Sequence, residues 1–340
     1  MTVERMVKSV HYQRVDPGIK WVKDTDLVIN SNGPLDAERT LTPNVVRMGD
    51  GYRLYYHGFG PERPNPKSKG YILSAFSKDG NTWGKEPGIR IDAGGDGAEH
   101  YIWSPDVIPL ADGGYRMYYE GKTEQADGKV KSAIVSALST DGLLWEKEPG
   151  MRLVGENTSF LAPRCLYLDQ ESGNNGPRYR LYASSYPYPD SASAPGVFNN
   201  RNIVSATSID GLIFELEPGV RIPQDRAQES YAVYAPEVLR LATSGYRMYY
   251  AGWVFAPEVA AGSKCHGRIF SAFSEDGLTW HKDPDICLDN GGRWDTTKAS
   301  EPCVIDLDDG RFRMFYEACD KKGRWRIASA TSLVSLADGS

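Results

Sequence analysis

One unit, written five times, governs what this chain can fold into. It is clearest over residues 103–121, Trp-Ser-Pro-Asp-Val-Ile-Pro-Leu-Ala-Asp-Gly-Gly-Tyr-Arg-Met-Tyr-Tyr-Glu-Gly. That is an apolar run led by a proline, a turn at Asp112-Gly113-Gly114, and a second run rich in aromatic residues. Counterparts lie at 41–58, 161–183, 234–252 and 300–318, and the leading prolines are Pro43, Pro105, Pro163, Pro236 and Pro302. Four of the units are followed by Ser-Ala-x-Ser, an Asp-Gly pair and an aromatic residue, which is Trp83, Trp145, Phe214 or Trp280. Asp-Gly between two β-prone runs predicts a tight hairpin, because glycine accepts the positive φ of such turns. Each repeat therefore predicts four strands.

The leading prolines are 62, 58, 73 and 66 residues apart, enough for a four-stranded blade with its loops. Repeated four-stranded units of this length are the pattern of a β-propeller. The fifth repeat supplies a third strand at 327–332 but no tryptophan strand after it. Its missing partner is expected at the other end of the chain, where Asp16-Pro-Gly-Ile-Lys-Trp21 resembles the fourth strands. Pairing the two would close the ring and remove its open edge. The expectation is an all-β fold, a five-bladed propeller in one domain spanning residues 1–340. Aromatic residues at 11%, 35 Gly and 21 Pro suit many short strands joined by turns.

Net charge is −6 and no basic cluster occurs, so neither nucleic acid nor an anionic membrane is an expected partner. Residues 1–12 lack an apolar signal core and no run approaches a membrane span, which predicts a cytoplasmic protein. Five cysteines without Cys-x-x-Cys spacing argue against a disulfide framework and a structural zinc site. No phosphate-binding loop, dinucleotide fingerprint, His-Glu-x-x-His or Gly-x-Ser-x-Gly is present, so no cofactor is expected. A cation on the propeller axis stays open, with no ligand set evident.

If the first strand of each blade runs from top to bottom, the long loops 58–70, 121–131, 184–202 and 252–267 share the top face with the connections between blades. Long loops in a compact domain mark the functional side. Just before each leading proline stand Thr42, Ser104, Ala162, Ala235 and Glu301, so only the fifth blade offers an acid. At the ends of the second strands stand His57, Glu120, Ala183, Ala251 and Glu317. Carboxylates converging on one funnel divide acid and base roles, since burial and mutual repulsion separate their pKa values. The catalytic candidates are Glu301, Glu120 and Glu317, with His57 and His100 either as proton donors or as rim residues.

Binding candidates are Arg39, Glu99, Tyr101, Trp103, Tyr231, Tyr234, Trp253 and Lys298, whose aromatic members could wall a sugar pocket; Trp103 and Tyr234 could equally sit between blades. Arg164 joins them because it breaks the repeat, replacing an Asn, Asp, Glu or Cys. It either binds an anionic group or pairs with a funnel acid. By contrast Trp83, Trp145, Trp280 and the arginines Arg116, Arg180, Arg247 and Arg313 recur in register, which predicts a structural role.

Trp103-Ser-Pro-Asp-Val with the following Gly-Tyr-Arg-Met-Tyr-Tyr resembles a second-blade motif of the five-bladed glycoside hydrolases of family 43 and their relatives, and Ser300-Glu301-Pro302 resembles their glutamate-bearing strand start. The resemblance implies a sugar or oligosaccharide substrate and a carboxylate acid/base pair. That family's triad of two Asp and one Glu falls here on Thr42, Ala162 and Ala235, so its roles do not transfer, and only Glu301 keeps a matching context. Two-carboxylate hydrolysis would draw on Glu301 with Glu120 or Glu317. The alternatives are a lyase, cyclase or isomerase working by proton transfer, and a propeller that binds carbohydrate without catalysis. Oligomeric state is left open.

Overall fold

The computed structural model describes residues 12–13, 15–62, 70–93, 101–124, 130–168, 178–188, 200–242, 244–259, 264–307 and 309–335. Among them every regular element is a strand, apart from one 3-10 turn at Ala227–Glu229. No helix among the described residues is long and apolar enough to cross a membrane.

The strands begin with β1 (Tyr12–Gln13) and β2 (Trp21–Lys23). Unit one is β3 (Arg39–Met48), β4 (Gly51–Phe59), β5 (Tyr71–Ser77) and β6 (Gly84–Lys85), followed by the short β7 (Ile91–Asp92). Unit two is β8 (Tyr101–Pro109), β9 (Tyr115–Glu124), β10 (Val130–Ser139) and β11 (Glu146–Lys147). Unit three is β12 (Thr158–Tyr167), β13 (Tyr179–Pro187), β14 (Asn202–Ser208) and β15 (Glu215–Leu216). Unit four is β16 (Ala232–Leu241), β17 (Tyr246–Phe255), β18 (Cys265–Ser274) and β19 (His281–Lys282). Unit five is β20 (Lys298–Asp306), β21 (Arg311–Cys319) and β22 (Trp325–Ser335), and its fourth strand is β2, with Trp21 opposite Ser332 and Lys23 opposite Ala330. Pairing within each unit is antiparallel. One pairing had no sequence signal: β1 runs parallel to β16, Tyr12 opposite Arg240.

The repeated residues explain the repeated form. Gly80, Gly142, Gly211 and Gly277 turn at φ of 73–74°, and the aspartate before each takes two backbone N–H groups, as Asp141 does from Leu143 and Leu144 at 2.8 and 2.9 Å. Trp145 Nε1 donates back to the Gly142 carbonyl at 3.1 Å. A Cβ at Gly142 would lie 2.7 Å from both Arg53 Nη1 and Tyr55 Oη. Gly142→Ala is therefore expected to cost about 2–3 kcal/mol, combining left-handed strain with overpacking, read as a lower urea midpoint with unchanged slope.

Neighbouring units lock through the same residues. Trp145 meets Tyr55 edge-on, Phe214 meets Tyr118, Trp280 meets Tyr182, Trp21 meets Tyr249 and Trp83 meets Phe315, at 5.5–5.9 Å and 85–87°. Each pair joins one unit to the next, and Trp83 with Phe315 joins the first to the fifth. The register arginines, and Arg53 at the same place in unit one, pair with the acid that directly follows the fourth strand, as in Arg53–Glu86, Arg116–Glu148 and Arg180–Glu217 at 2.9 Å, and reach the next unit's turn carbonyl, as Arg313 does at Gly80 (2.9 Å).

The residue after each leading proline ties its unit to a neighbouring one. Val107 N–H donates to Asn44 Oδ1 (3.0 Å), Cys165 N–H to Asp106 Oδ2 (2.7 Å), Arg164 Nε to Glu237 Oε2 (2.6 Å) and Val304 N–H to Glu237 Oε1 (2.9 Å). Val45 N–H donates to Cys303 Sγ (3.2 Å), which brings the succession back to its start. The first strands touch in the same cyclic order. All five cysteines are buried free thiols.

Candidate functional site

Each first strand carries a bulge at its proline, and the residue before the proline has positive φ: Thr42 at 55°, Ser104 at 47°, Ala162 at 49°, Ala235 at 52° and Glu301 at 48°. None is glycine, so each holds a conformation that costs about 1–3 kcal/mol, and such strain gathers at functional sites. The following proline contributes by keeping the residue out of the right-handed helical region.

Beside these bulges opens a cavity of about 320 Å³. Units two to five supply its wall. Trp103, Glu120, Lys122 and Ser132 come from unit two; Tyr186, Tyr188 and Arg201 from unit three; Tyr231, Tyr234 and Trp253 from unit four; Glu301 from unit five.

Glu301 is 9% exposed and accepts a hydrogen bond from Ser104 Oγ at 3.3 Å. Burial, then the neighbouring Glu317 and Glu120 carboxylates, push its carboxyl well above the usual range, against the pull of Arg164. Glu120 accepts from Ser132 Oγ at 2.9 Å and forms an ion pair with Lys122 at 3.2 Å. The Lys122 ammonium stands 5.0 Å over the Trp103 ring. Tyr234 Oη and Trp103 Nε1 are buried on this wall with no hydrogen-bond partner among the described residues. Buried polar groups are almost always satisfied, so two such donors on one cavity suit a polar ligand. Trp253 donates from Nε1 to Ser300 Oγ (2.8 Å), meets Tyr234 edge-on at 5.1 Å and lies nearly parallel to Tyr231.

Of the sequence candidates, Glu301, Glu120, Trp103, Tyr231, Tyr234 and Trp253 meet on the cavity wall. Glu317 and Lys298 lie behind it. Glu317 is 3% exposed and takes the Thr42 N–H at 3.4 Å. Lys298 is fully buried, its ammonium 5.4 Å from the rings of both Trp253 and Trp325. His57 is also off the wall, stacked on Trp103 at 4.3 Å and 7° and covered by Gly70, where a Cβ would lie 2.0 Å from its Nε2. Arg39, exposed at the start of β3, and Tyr101 do not line the cavity. Glu99 and His100 lie outside the described residues. Arg164 is buried among the leading prolines. Besides Glu237 it donates to the carbonyls of Pro105 (3.2 Å), Pro163 (3.0 Å), Pro43 (3.4 Å) and Pro302 (3.5 Å). Pairing with an acid is thus its observed role, though the acid belongs to the belt rather than the cavity.

Sequence reasoning missed Lys122, Ser132, Tyr186, Tyr188 and Arg201. Lys122 follows Glu120 by two positions on β9 and so shares its face; Tyr186 and Arg201 lie near the two ends of the long 184–202 loop. Among the described residues no group of three or more His, Cys, Asp or Glu could hold a metal ion.

Burial pushes Glu317 up to about 8 from an ordinary 4.5, opposed by the Thr42 N–H and Lys298. The folded chain therefore binds this proton more tightly than the unfolded one. The resulting stability is complete below about pH 4.5, shrinks above it and is gone once pH passes about 8, at about 1.4 kcal/mol per pH unit. Glu317→Gln cannot ionise. Its melting temperature is expected to gain on wild type from about pH 5 to about pH 8 and to hold a constant lead above that; parallel curves throughout would place the titration elsewhere.

No protein-family model matches the chain. Two curated relatives, uncharacterised proteins from two strains of Mycobacterium tuberculosis, are each 27% identical over 275 residues, covering 78% of this chain and 84% of theirs. Solved structures with the same fold include a glycoside hydrolase (TM-score 0.69, 16% identity, 92% of this chain and 93% of that one). A thermostable family-43 glycoside hydrolase matches at TM-score 0.63 and 18% identity, over 88% of this chain and 90% of its own. An N-acetylgalactosamine deacetylase from F. plautii, solved with blood group B trisaccharide, matches at TM-score 0.62 and 16% identity, over 95% and 97%. The chain shares the all-β fold of family-43-like propellers, as its repeats implied.

Proposed function

We propose that the five units form one closed five-bladed ring and that the cavity is the active site of a glycosidase-like enzyme acting on a sugar or glycoside. The observation that carries this reading is the pairing of two unlike carboxyls on one wall. Glu301, with its proton held by burial and by Glu317 and Glu120, is suited to protonate a leaving glycosidic oxygen. Glu120, ion-paired with Lys122, is suited to act at the anomeric carbon, either directly or through a water. Tyr231, Tyr234 and Trp253 give the wall an aromatic side against which a pyranose can pack, while Tyr234 Oη and Trp103 Nε1 offer donors for its hydroxyls. The hydrolase and deacetylase neighbours support a carbohydrate ligand and leave the reaction to these residues.

The test is incubation with a panel of aryl glycosides and oligosaccharides, read by aglycone and reducing-sugar release. Turnover is expected. Saturable sugar binding without bond cleavage across the panel would replace hydrolysis with carbohydrate binding.

A further inference from the structure

A buried cation behind the cavity has no part in the two-carboxyl chemistry above. Lys298 opens β20, is fully buried, and its Nζ has no hydrogen-bond partner among the described residues. The ammonium lies 5.4 Å from the ring centres of Trp253, a wall residue, and of Trp325. Strand register shows what else it faces. Lys298 and Ser300 stand opposite Cys319 and Glu317 on β21, so the four side chains share one face and Lys298 is the diagonal neighbour of Glu317. Burial raises the Glu317 carboxyl and the Cys319 thiol, and the Lys298 charge draws both down. Burial, then Glu317 and Glu120, raise Glu301 while Arg164 pulls it down; the Tyr234 hydroxyl is raised by burial and then by Glu317 and Glu301. The other two cations here are held by carboxylates, Lys122 by Glu120 at 3.2 Å and Arg164 by Glu237 at 2.6 Å. A methionine of similar length would fill the space between the indoles without the cost of desolvating an ammonium. What the charge adds is its action on the carboxyls.

When Glu301 passes its proton to the leaving oxygen, which keeps the electron pair of the broken glycosidic bond, a negative charge stays behind beside Glu317 and Glu120. We propose that Lys298 is a positioning residue for this step, its ammonium stabilising the negative charge that Glu301 and Glu317 share once the proton has left. The two indole rings hold the ammonium in place without neutralising it. The catalytic role rests on the reading of Glu301 as the acid; the hold of Lys298 on the two carboxyls does not.

Lys298→Met removes the charge and keeps the length. On whichever alkyl glycoside the wild type cleaves, the fall of activity at high pH is expected about one pH unit higher in the variant, because the carboxyls lose a cation one diagonal away. Plateau kcat is expected to fall several-fold, the acid being weaker, with KM little changed. Lys298→Arg is expected to bring the high-pH limb back. A lower melting temperature with an unmoved limb would make Lys298 a packing residue and overturn the proposal. A second measurement needs no turnover. The lead in melting temperature that Glu317→Gln gains over wild type levels off at about pH 8. In a Lys298→Met background the same lead is expected to keep growing for about one pH unit more. Should Lys298→Met not fold, Lys298→Gln, also uncharged, takes its place in both measurements. If no glycoside is cleaved, the hydrolytic reading fails by itself and the melting curves decide. A longer climb supports the hold of Lys298 on the carboxyls, and identical climbs overturn it.

Discussion

Glu301→Gln is expected to lower kcat by about 10²–10⁴, the usual contribution of a positioned general acid, with KM changed far less. Glutamine keeps the length of the side chain and can still accept from Ser104 Oγ, which now bonds Glu301 at 3.3 Å, so the fold should survive and circular dichroism should match wild type. The loss should depend on the leaving group. A 4-nitrophenolate departs with little help, while an alkyl alcohol needs the proton, so alkyl glycosides and oligosaccharides should suffer most. The pH profile supplies an independent reading. Because Glu301 acts while protonated and its pKa is raised, wild-type activity should persist above the pH at which an ordinary glutamate ionises and fall as pH rises through the raised value, a limb absent from the variant. A variant retaining full kcat on alkyl glycosides would remove Glu301 from the chemistry.

Arg164→Met should be among the most destabilising single changes in the chain. It removes the partner of Glu237 at 2.6 Å and the donor to the Pro163 and Pro105 carbonyls at 3.0 and 3.2 Å, and it leaves Glu237 buried without its counter-charge. Deleting one member of a buried pair costs about 3–5 kcal/mol, which for a chain of this size lowers the melting temperature by about 4–7 °C. Asp106 should change too. Burial now sets its carboxyl at about 7 while Arg164 pulls it down, so without the guanidinium it takes up a proton at higher pH. Combining Arg164→Met with Glu237→Gln should recover part of the loss by removing the stranded charge. A guanidinium chloride midpoint within about 1 kcal/mol of wild type for the single variant would show that the guanidinium does not hold the belt.

Repetition decided what the sequence could disclose. The leading prolines, the Asp-Gly turns and the tryptophan strands are written once per unit, so the four-stranded form of each unit and the pairing of Trp21 with the C-terminal strand could be read directly. Glu301 and Glu120 could be picked out because each departs from what other units place at its position. The same rule found Arg164 and its pairing with an acid but not its bonds to four prolyl carbonyls, which depend on residues far apart in sequence meeting at one guanidinium. His57 met the same criterion as Glu120, yet its ring lies flat against Trp103 under Gly70. A departure from the repeat marks a specified residue without saying whether packing or chemistry specifies it. Arg201, Tyr186 and Lys122 sit in or beside loops that have no counterpart to be compared with.

The five residues at positive φ divide the labour between main chain and side chain. The strained bulge belongs to the backbone and to the proline after it, and it is the same whether the seat holds Thr42, Ser104, Ala162, Ala235 or Glu301. A seat can therefore be refitted by a single substitution without redrawing the strand that bears it. Only two of the seats, Ser104 and Glu301, now line the cavity. Such a frame can change its reaction faster than its shape, and relatives on it should be sorted by what occupies the five seats before they are sorted by overall likeness.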